Sequence, residues 1–178
     1  MAIDGAKNPG YVIREAVDAD LSVLVEFLAK LAIHVAGGEP RTLKEEEQQR
    51  LMQVLRSALD DDNKCLLVAE DPKAGLIAMG YVYVWRSQGI WEQAEPVEYR
   101  TGVIDDIWVE PEFRSLGVLK ALLKRLVSFA ENHNAHELVL EYSLANKQAK
   151  AVWTKLGFKT TGVRASAFPS TVKAALEQ

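Results

Sequence analysis

The chain has 178 residues, a net charge of -4, and 48% hydrophobic and 26% charged residues, an ordinary balance for one soluble domain with a sizeable core. No stretch approaches the roughly 20 apolar residues of a membrane span, and Met1 to Gly5 has neither the basic start nor the apolar run of a secretory leader. The acidic balance argues against binding a nucleic-acid backbone; it suits a cationic partner, or solubility alone.

Residues 1–10 are polar and hold Gly5, Pro9 and Gly10, which predicts a loose lead-in. Tyr11 to Arg14 alternates and reads as a short strand. Asp18 then precedes Leu21, Leu24, Val25, Leu28, Leu31, Ala32 and Val35 at helical spacing, so a helix capped by Asp18 is expected, ending at Gly37 to Pro40. Thr42-x-x-Glu45 reads as a capping box for a second helix, whose buried face is Leu51, Met52, Leu55, Ala58 and Leu59. Cys65 to Glu70, a turn at Asp71 to Gly75, and Leu76 to Trp85 form an antiparallel hairpin. Cys65 is the only cysteine, so no internal disulfide can form, which suits a reducing cytoplasm as the expected location.

Residues 86–98 make a longer connection, and long loops are often functional. Gln88, Trp91, Glu92 and Glu95 could face a ligand there, although charged loop residues are commonly just solvated. Arg100 to Val109 is the next strand, stopped by Pro111, which cannot donate to a ladder. Arg114 to Gly117 is a turn, and a helix is expected from about Leu116 to Asn132, with Leu116, Leu119, Leu122, Leu123, Leu126, Val127 and Ala130 on its apolar stripe. Leu138, Leu140 and Tyr142 alternate as another strand. Asn146 caps a further helix with Ala149, Val152, Trp153 and Leu156 inward, Gly157 ends it, and Phe158 to Phe168 is β-like. Residues 169–178 are a tail or short terminal helix.

This order predicts one α/β domain over residues 1–178, with a core of about 11–165 and loose ends at 1–10 and 169–178. Hairpins give antiparallel neighbours and the helical crossover a parallel pair, so a mixed central sheet of about six to seven strands flanked by helices is expected.

Strand, glycine turn and helix over residues 103–123 form an arrangement that holds phosphates. The first N–H groups of a helix lack intrahelical partners, and its dipole favours an anion there. Within this stretch, Arg114-x-x-Gly117-x-Leu119 follows Val109-x-Pro111. About thirty residues on comes Asn146-x-x-Ala149-x-x-x-Trp153-x-Lys155-x-Gly157-Phe158. Together these resemble the two conserved blocks of the GCN5-related N-acetyltransferases, whose first block is Gln/Arg-x-x-Gly-x-Gly/Ala and whose second is Asn-x-x-Ala-x-x-x-Tyr-x-x-x-Gly-Phe. Leu119 departs from the first pattern and Trp153 from the second.

The resemblance implies the acyl-CoA N-acyltransferase fold and acetyl-CoA as cosubstrate. Ile107, Trp108, Val109, Arg114, Ser115, Leu116, Gly117, Val118, Leu119, Asn146 and Trp153 fall at its cofactor-binding positions. It also implies direct acetyl transfer to a primary amine in a ternary complex, and it allows a homodimer. The acceptor is a small amine such as a polyamine, amino acid or aminoglycoside, or a protein amine; acidic loop residues favour a small cationic one. Where the family commonly has a tyrosine that protonates the departing thiolate, Trp153 offers an indole N–H that does not titrate in the useful range. Tyr142, on the expected adjacent strand, or Tyr83 would then reach the sulfur, or solvent or the amine would supply the proton. An acyl-CoA-binding sensor without turnover is the alternative.

Asp105 and Asp106 are adjacent on a strand and so are expected on opposite faces. Asp105, with Val103, Ile107 and Val109, is read as facing the acceptor amine as base or anchor, or as a carboxylate tied to Arg100 or a lysine. Asp106, Trp91 and Glu92 are further candidates for substrate contact. His34, near the end of the first helix, could contact substrate or complement the helix dipole. No spacing of His, Cys, Asp or Glu resembles a metal site.

Overall fold

A computed structural model of the chain describes residues 10–37, 41–94, 96–162 and 165–176. The expected lead-in at 1–9, part of the stop at 38–40, and Glu95 lie outside the described residues. Backbone packing divides the chain into two compact units, Met1–Glu141 and Tyr142–Gln178.

The first unit holds one five-stranded sheet in the order β1-β2-β3-β4-β5. β1 (Val12–Glu15), β2 (Lys64–Asp71), β3 (Gly75–Arg86) and β4 (Arg100–Val109) pair antiparallel in sequence. β5 (Ala135–Val139) joins β4 in parallel. The count falls short of six to seven for two reasons. Asn134, at φ 58, turns the chain straight out of the preceding helix, so pairing uses Ala135–Val139 and leaves Leu140 and Tyr142 beyond the strand. The described part of 158–168 forms no strand, because β-propensity yields a ladder only where a partner strand lies alongside.

α1 (Leu21–Ala36) and α2 (Glu45–Leu59) cover one face of the sheet. Leu21, Leu24, Val25, Phe27 and Leu55 are packed there against Leu66, Val68, Met79 and Trp108. α4 (Val118–Asn132) covers the other face through Val118, Leu122, Leu123, Leu126 and Ala130. It comes so close that a Cβ on Gly80 would lie 3.0 Å from Leu126 Cδ1. The helix begins at Val118, and Leu116 stays outside it, 62% exposed in the turn. The expected stripe therefore holds at Leu122, Leu123, Leu126 and Ala130, and it begins at Val118 instead of Leu116.

Neither expected cap forms. Asp18 opens a short 3-10 turn ahead of α1 and pairs instead with Arg56 Nε at 2.8 Å. Asp20, the buried residue of that turn, accepts from Val17 N–H at 2.8 Å and from Arg14 at 2.6 and 2.9 Å. Lys44, not Thr42, precedes α2, which has no side-chain cap; Glu45, Glu46 and Glu47 meet the dipole there instead.

Within the 86–98 connection, Ile90–Ala94 forms a short helix, α3. In the second unit, α5 (Lys147–Lys155) is capped as expected by Asn146, whose side-chain oxygen accepts from Ala149 N–H at 2.9 Å. Gly157 ends this segment at φ 95. Pro169–Leu176 forms a short helix, α6, the second of the two forms expected for residues 169–178.

Candidate active site

The site is built on the second half of β4. β5 stops where Val139 meets Val103, so the edge of β4 from Ile104 to Val109 has no strand partner on that side among the described residues. Unpaired backbone groups along a central strand can bond an extended ligand in place of a strand.

The β3–β4 register contains the main departure from expectation. Val82 faces Ile104 and Gly80 faces Ile107, so Asp105 and Asp106 both stand opposite Tyr81. This is a β-bulge, two residues against one. Ile104 and Ile107 share the α4 face with Val82 and Gly80. The two aspartates between them therefore both lie on the face covered by α1 and α2, with Tyr81, Tyr83 and Trp108. The expectation of opposite faces assumed unbroken alternation, and the extra residue breaks it. Ile107 and Val109 consequently do not share the face of Asp105.

Burial, and secondarily the neighbouring Asp105 charge, pushes the Asp106 carboxyl up to about 6. Asp105 is raised as well, by burial and then by Glu141. Tyr81, pushed up to about 12 by burial and then by Asp105, remains a phenol at neutral pH, and Tyr83 is raised for the same two reasons. No lysine, arginine or histidine bonds Asp105 or Asp106 among the described residues, and Arg100, the expected partner of Asp105, pairs with Glu98 at 2.8 Å.

Beyond the strand, Pro111–Phe113 makes a 3-10 turn. Arg114 folds back, donating from Nε to the Val109 carbonyl at 3.0 Å and laying its guanidinium 4.9 Å from the centre of the Trp108 ring. Ser115 and Gly117 both adopt left-handed backbone, at φ 65 and 85. Gly117 immediately precedes α4, and among the described residues no side chain caps that end. The N–H groups of Val118, Leu119 and Lys120 thus open an uncapped helix terminus, where an anion is stabilised. Leu119 is half-buried. This turn and the open β4 edge suit a ligand with a phosphate at one end and an extended amide-bearing arm, as acetyl-CoA has.

Other expected contacts are only partly assembled. His34 reaches Trp108, ring centres 6.0 Å apart and edge-on. Lys30 of α1 pairs with Glu110 just past β4. Trp91 is 82% exposed on α3, and the Glu92 carboxylate packs back over Gly89. α3 follows the Arg86–Arg100 end of the hairpin, about 17 Å of extended chain from Asp105, so Trp91 and Glu92 are not brought to the carboxylate pair. In the second unit, Asn146 caps its helix, Trp153 meets Phe158 edge-on at 5.6 Å, and Tyr142 lies in a loop instead of a strand.

Tyr81 and Trp108 Nε1, which is buried with no hydrogen-bond partner among the described residues, carry no signal in residue spacing. Two adjacent aspartates within an apolar strand, facing a Tyr-x-Tyr hairpin arm, are the signal that could have marked the bulge. A cavity of about 520 Å³ lined by Glu15, Asp61, Lys64, Cys65 and His133 lies at the C-terminal end of α4, the far end from Gly117. Among the described residues no group of His, Cys, Asp and Glu could hold a metal ion, and no helix is long and apolar enough to cross a membrane.

A model of the acetyltransferase (GNAT) family matches residues 28–158. Among solved structures, a predicted acetyltransferase from Clostridium acetobutylicum, determined with acetyl-CoA, is 24% identical with a TM-score of 0.72, over 90% of this chain and 97% of that one. Glucosamine-6-phosphate N-acetyltransferase from Arabidopsis thaliana is 20% identical at a TM-score of 0.64, over 89% and 98%. Aminoglycoside 6'-N-acetyltransferase from Acinetobacter baumannii is 19% identical at 0.65, over 89% and 96%. These likenesses establish the fold. No curated protein gave a match.

Proposed function

The chain belongs to the acetyltransferase (GNAT) family, and from that premise we propose that it transfers an acetyl group from acetyl-CoA directly to a primary amine of a small cationic acceptor. The observation that carries this reading is the β4 bulge, which sets two carboxylates, without cationic partners among the described residues, beside an open strand edge that leads to the start of α4. Backbone N–H groups of Val118 to Lys120 hold the pyrophosphate, and the edge of Ile107 to Val109 pairs with the pantetheine arm. Arg114 positions the turn through the Val109 carbonyl.

Asp106 accepts the amine's proton. Its carboxyl titrates at about 6, so near neutral pH it is ionised yet basic enough to work. The freed amine nitrogen bonds to the thioester carbonyl carbon, the carbon–sulfur bond breaks, and its electron pair leaves on the thiolate. Asp105, which the sequence offers as base or anchor, takes the second role and steadies positive charge on the acceptor. Tyr142 and Tyr83 are the phenols available to protonate the thiolate. Changing each to phenylalanine separates them, since only the donor's loss lowers kcat with little change in KM.

Trp153 in place of the family tyrosine favours a second reading, an acyl-CoA-binding module without turnover. Calorimetry with acetyl-CoA and a thiol-release assay across an amine panel decide between the two. Binding with turnover of at least one small cationic amine is expected. Binding without turnover of any amine leaves the sensor, and no binding removes both readings.

A further inference from the structure

Arg114 takes up a place that the pantetheine arm needs. Glu110 N–H donates to the Ile77 carbonyl at 2.9 Å, so at Glu110 the backbone faces β3. Backbone groups of successive strand residues point to alternate sides. Val109 therefore turns its N–H and C=O outward, to the edge of β4 that no strand covers among the described residues. That outward carbonyl accepts from Arg114 Nε at 3.0 Å. The guanidinium is held there a second time, 4.9 Å from the centre of the Trp108 ring, where the π face attracts a cation. Both contacts are to neutral groups. Among the described residues no carboxylate pairs with Arg114, and the neighbouring Glu110 is taken by Lys30. An arm extended along this edge and the Arg114 side chain thus compete for one carbonyl. An anion draws a guanidinium away from neutral partners, and the start of α4, just past Gly117, is where the reading above puts the phosphates.

We propose that Arg114 is a specificity-determining residue: it closes the Val109 carbonyl to thioesters that carry the pantetheine arm alone, and yields it to those that also bring phosphates to the start of α4. This rests on the acetyl-CoA reading above and deepens it. The two ends of the ligand are coupled through one side chain, so each end tightens the binding of the other. A residue that merely shapes the turn produces no such coupling.

The test measures Kd by calorimetry for acetyl-CoA and for S-acetylpantetheine, the thioester arm without nucleotide or phosphates, on the full chain and on Arg114→Met. The variant should bind acetyl-CoA about tenfold more weakly, the factor equivalent to one charge-assisted contact. It should bind S-acetylpantetheine about three- to fivefold more tightly, the net worth of one hydrogen bond that no longer has to be displaced. Loss of a side chain that only shapes the turn weakens both ligands, so the opposite signs are the mark of competition. A second readout needs no variant and decides the matter if Arg114→Met does not fold. Saturating adenosine 3',5'-bisphosphate should tighten S-acetylpantetheine binding to the wild type by about the same three- to fivefold. If the folded variant binds S-acetylpantetheine no more tightly than the wild type does, undetectable binding included, or if the bisphosphate brings no tightening, the proposal is overturned. Acetyl-CoA binding by the wild type then leaves the reading above standing. If acetyl-CoA does not bind the wild type, that reading and this one fall together.

Discussion

At the scale of single residues, Asp106 and Gly117 carry the chemistry and the anchor. Asp106 works only when ionised, and its carboxyl sits at about 6. The facing titratable groups are Asp105 and Glu141 on the same side and the Tyr81 and Tyr83 phenols of β3. The kcat/KM for an amine whose own pKa lies well above the range should therefore rise as pH passes through about 6. Asp106→Asn should abolish that inflection and cost roughly 100-fold or more in rate, the usual size of a lost general base. A profile unchanged in the variant would assign the inflection to another group. Gly117 acts differently. Its φ of 85 is cheap only without a Cβ, although the nearest atom to such a Cβ, the Tyr11 hydroxyl, is 3.8 Å away. Gly117→Ala should thus cost about 1 kcal/mol from backbone strain alone, read as a lower urea midpoint. Gly117→Asp should in addition eliminate acetyl-CoA binding by placing a negative charge at the helix start. Unchanged affinity in a folded Asp variant would move the pyrophosphate elsewhere.

At the scale of elements, Arg14 ties three segments together. It donates to Asp20 in the 3-10 turn and to Glu70 on β2, at 2.6 and 2.7 Å, from its own place on β1. The Arg14 guanidinium is the main reason the buried Asp20 carboxyl is held below its usual range. Arg14→Met should cost about 2 to 3 kcal/mol near neutral pH, because an unpaired buried carboxylate remains. The cost should shrink in acid as Asp20 takes a proton. Circular dichroism melts at two pH values would check both halves, and a loss independent of pH would show that packing, not charge, is responsible. The elements also divide into those legible in the sequence and those that were not. α1, α2, α4, the β2–β3 hairpin and the Asn146 cap follow from periodicity and local cap chemistry, which a short window contains. The bulge at Asp105–Asp106 depends on register against Tyr81, which no local pattern encodes. The end of β5 at Val139 depends on where α4 releases the chain. The glycine turn before α4 is readable because its residues are consecutive; the side chains facing Asp106 come from β3 as well as β4, and spacing along the chain says nothing of that convergence.

At the scale of the molecule, two carboxylates set opposing demands on pH. Asp20, lowered on folding from 3.8, contributes stability that is present above that value and lost as pH falls. Asp106, raised from 3.8 to about 6, acts the other way. The folded state binds its proton more tightly than the unfolded chain does, so stability declines as pH climbs through that window and stays at the lower level above it. With the shift discounted for partial exposure to water, the decline is on the order of 1 to 2 kcal/mol. The fold is therefore favoured in mild acid, below the pH at which its proposed base becomes active, a separation expected where a site is tuned for chemistry at the expense of stability. Urea unfolding of the free protein should show its midpoint falling between about pH 4.5 and 7. Asp106→Asn should flatten that fall and be the more stable protein at pH 8, with the advantage gone at pH 4. A saturating small cationic amine with CoA should recover part of the stability lost above pH 6, because a cation beside Asp106 favours its ionised form. A flat wild-type curve would mean that Asp106 is as well solvated in the folded state as in the unfolded one, and its assignment as the base would lose its physical ground.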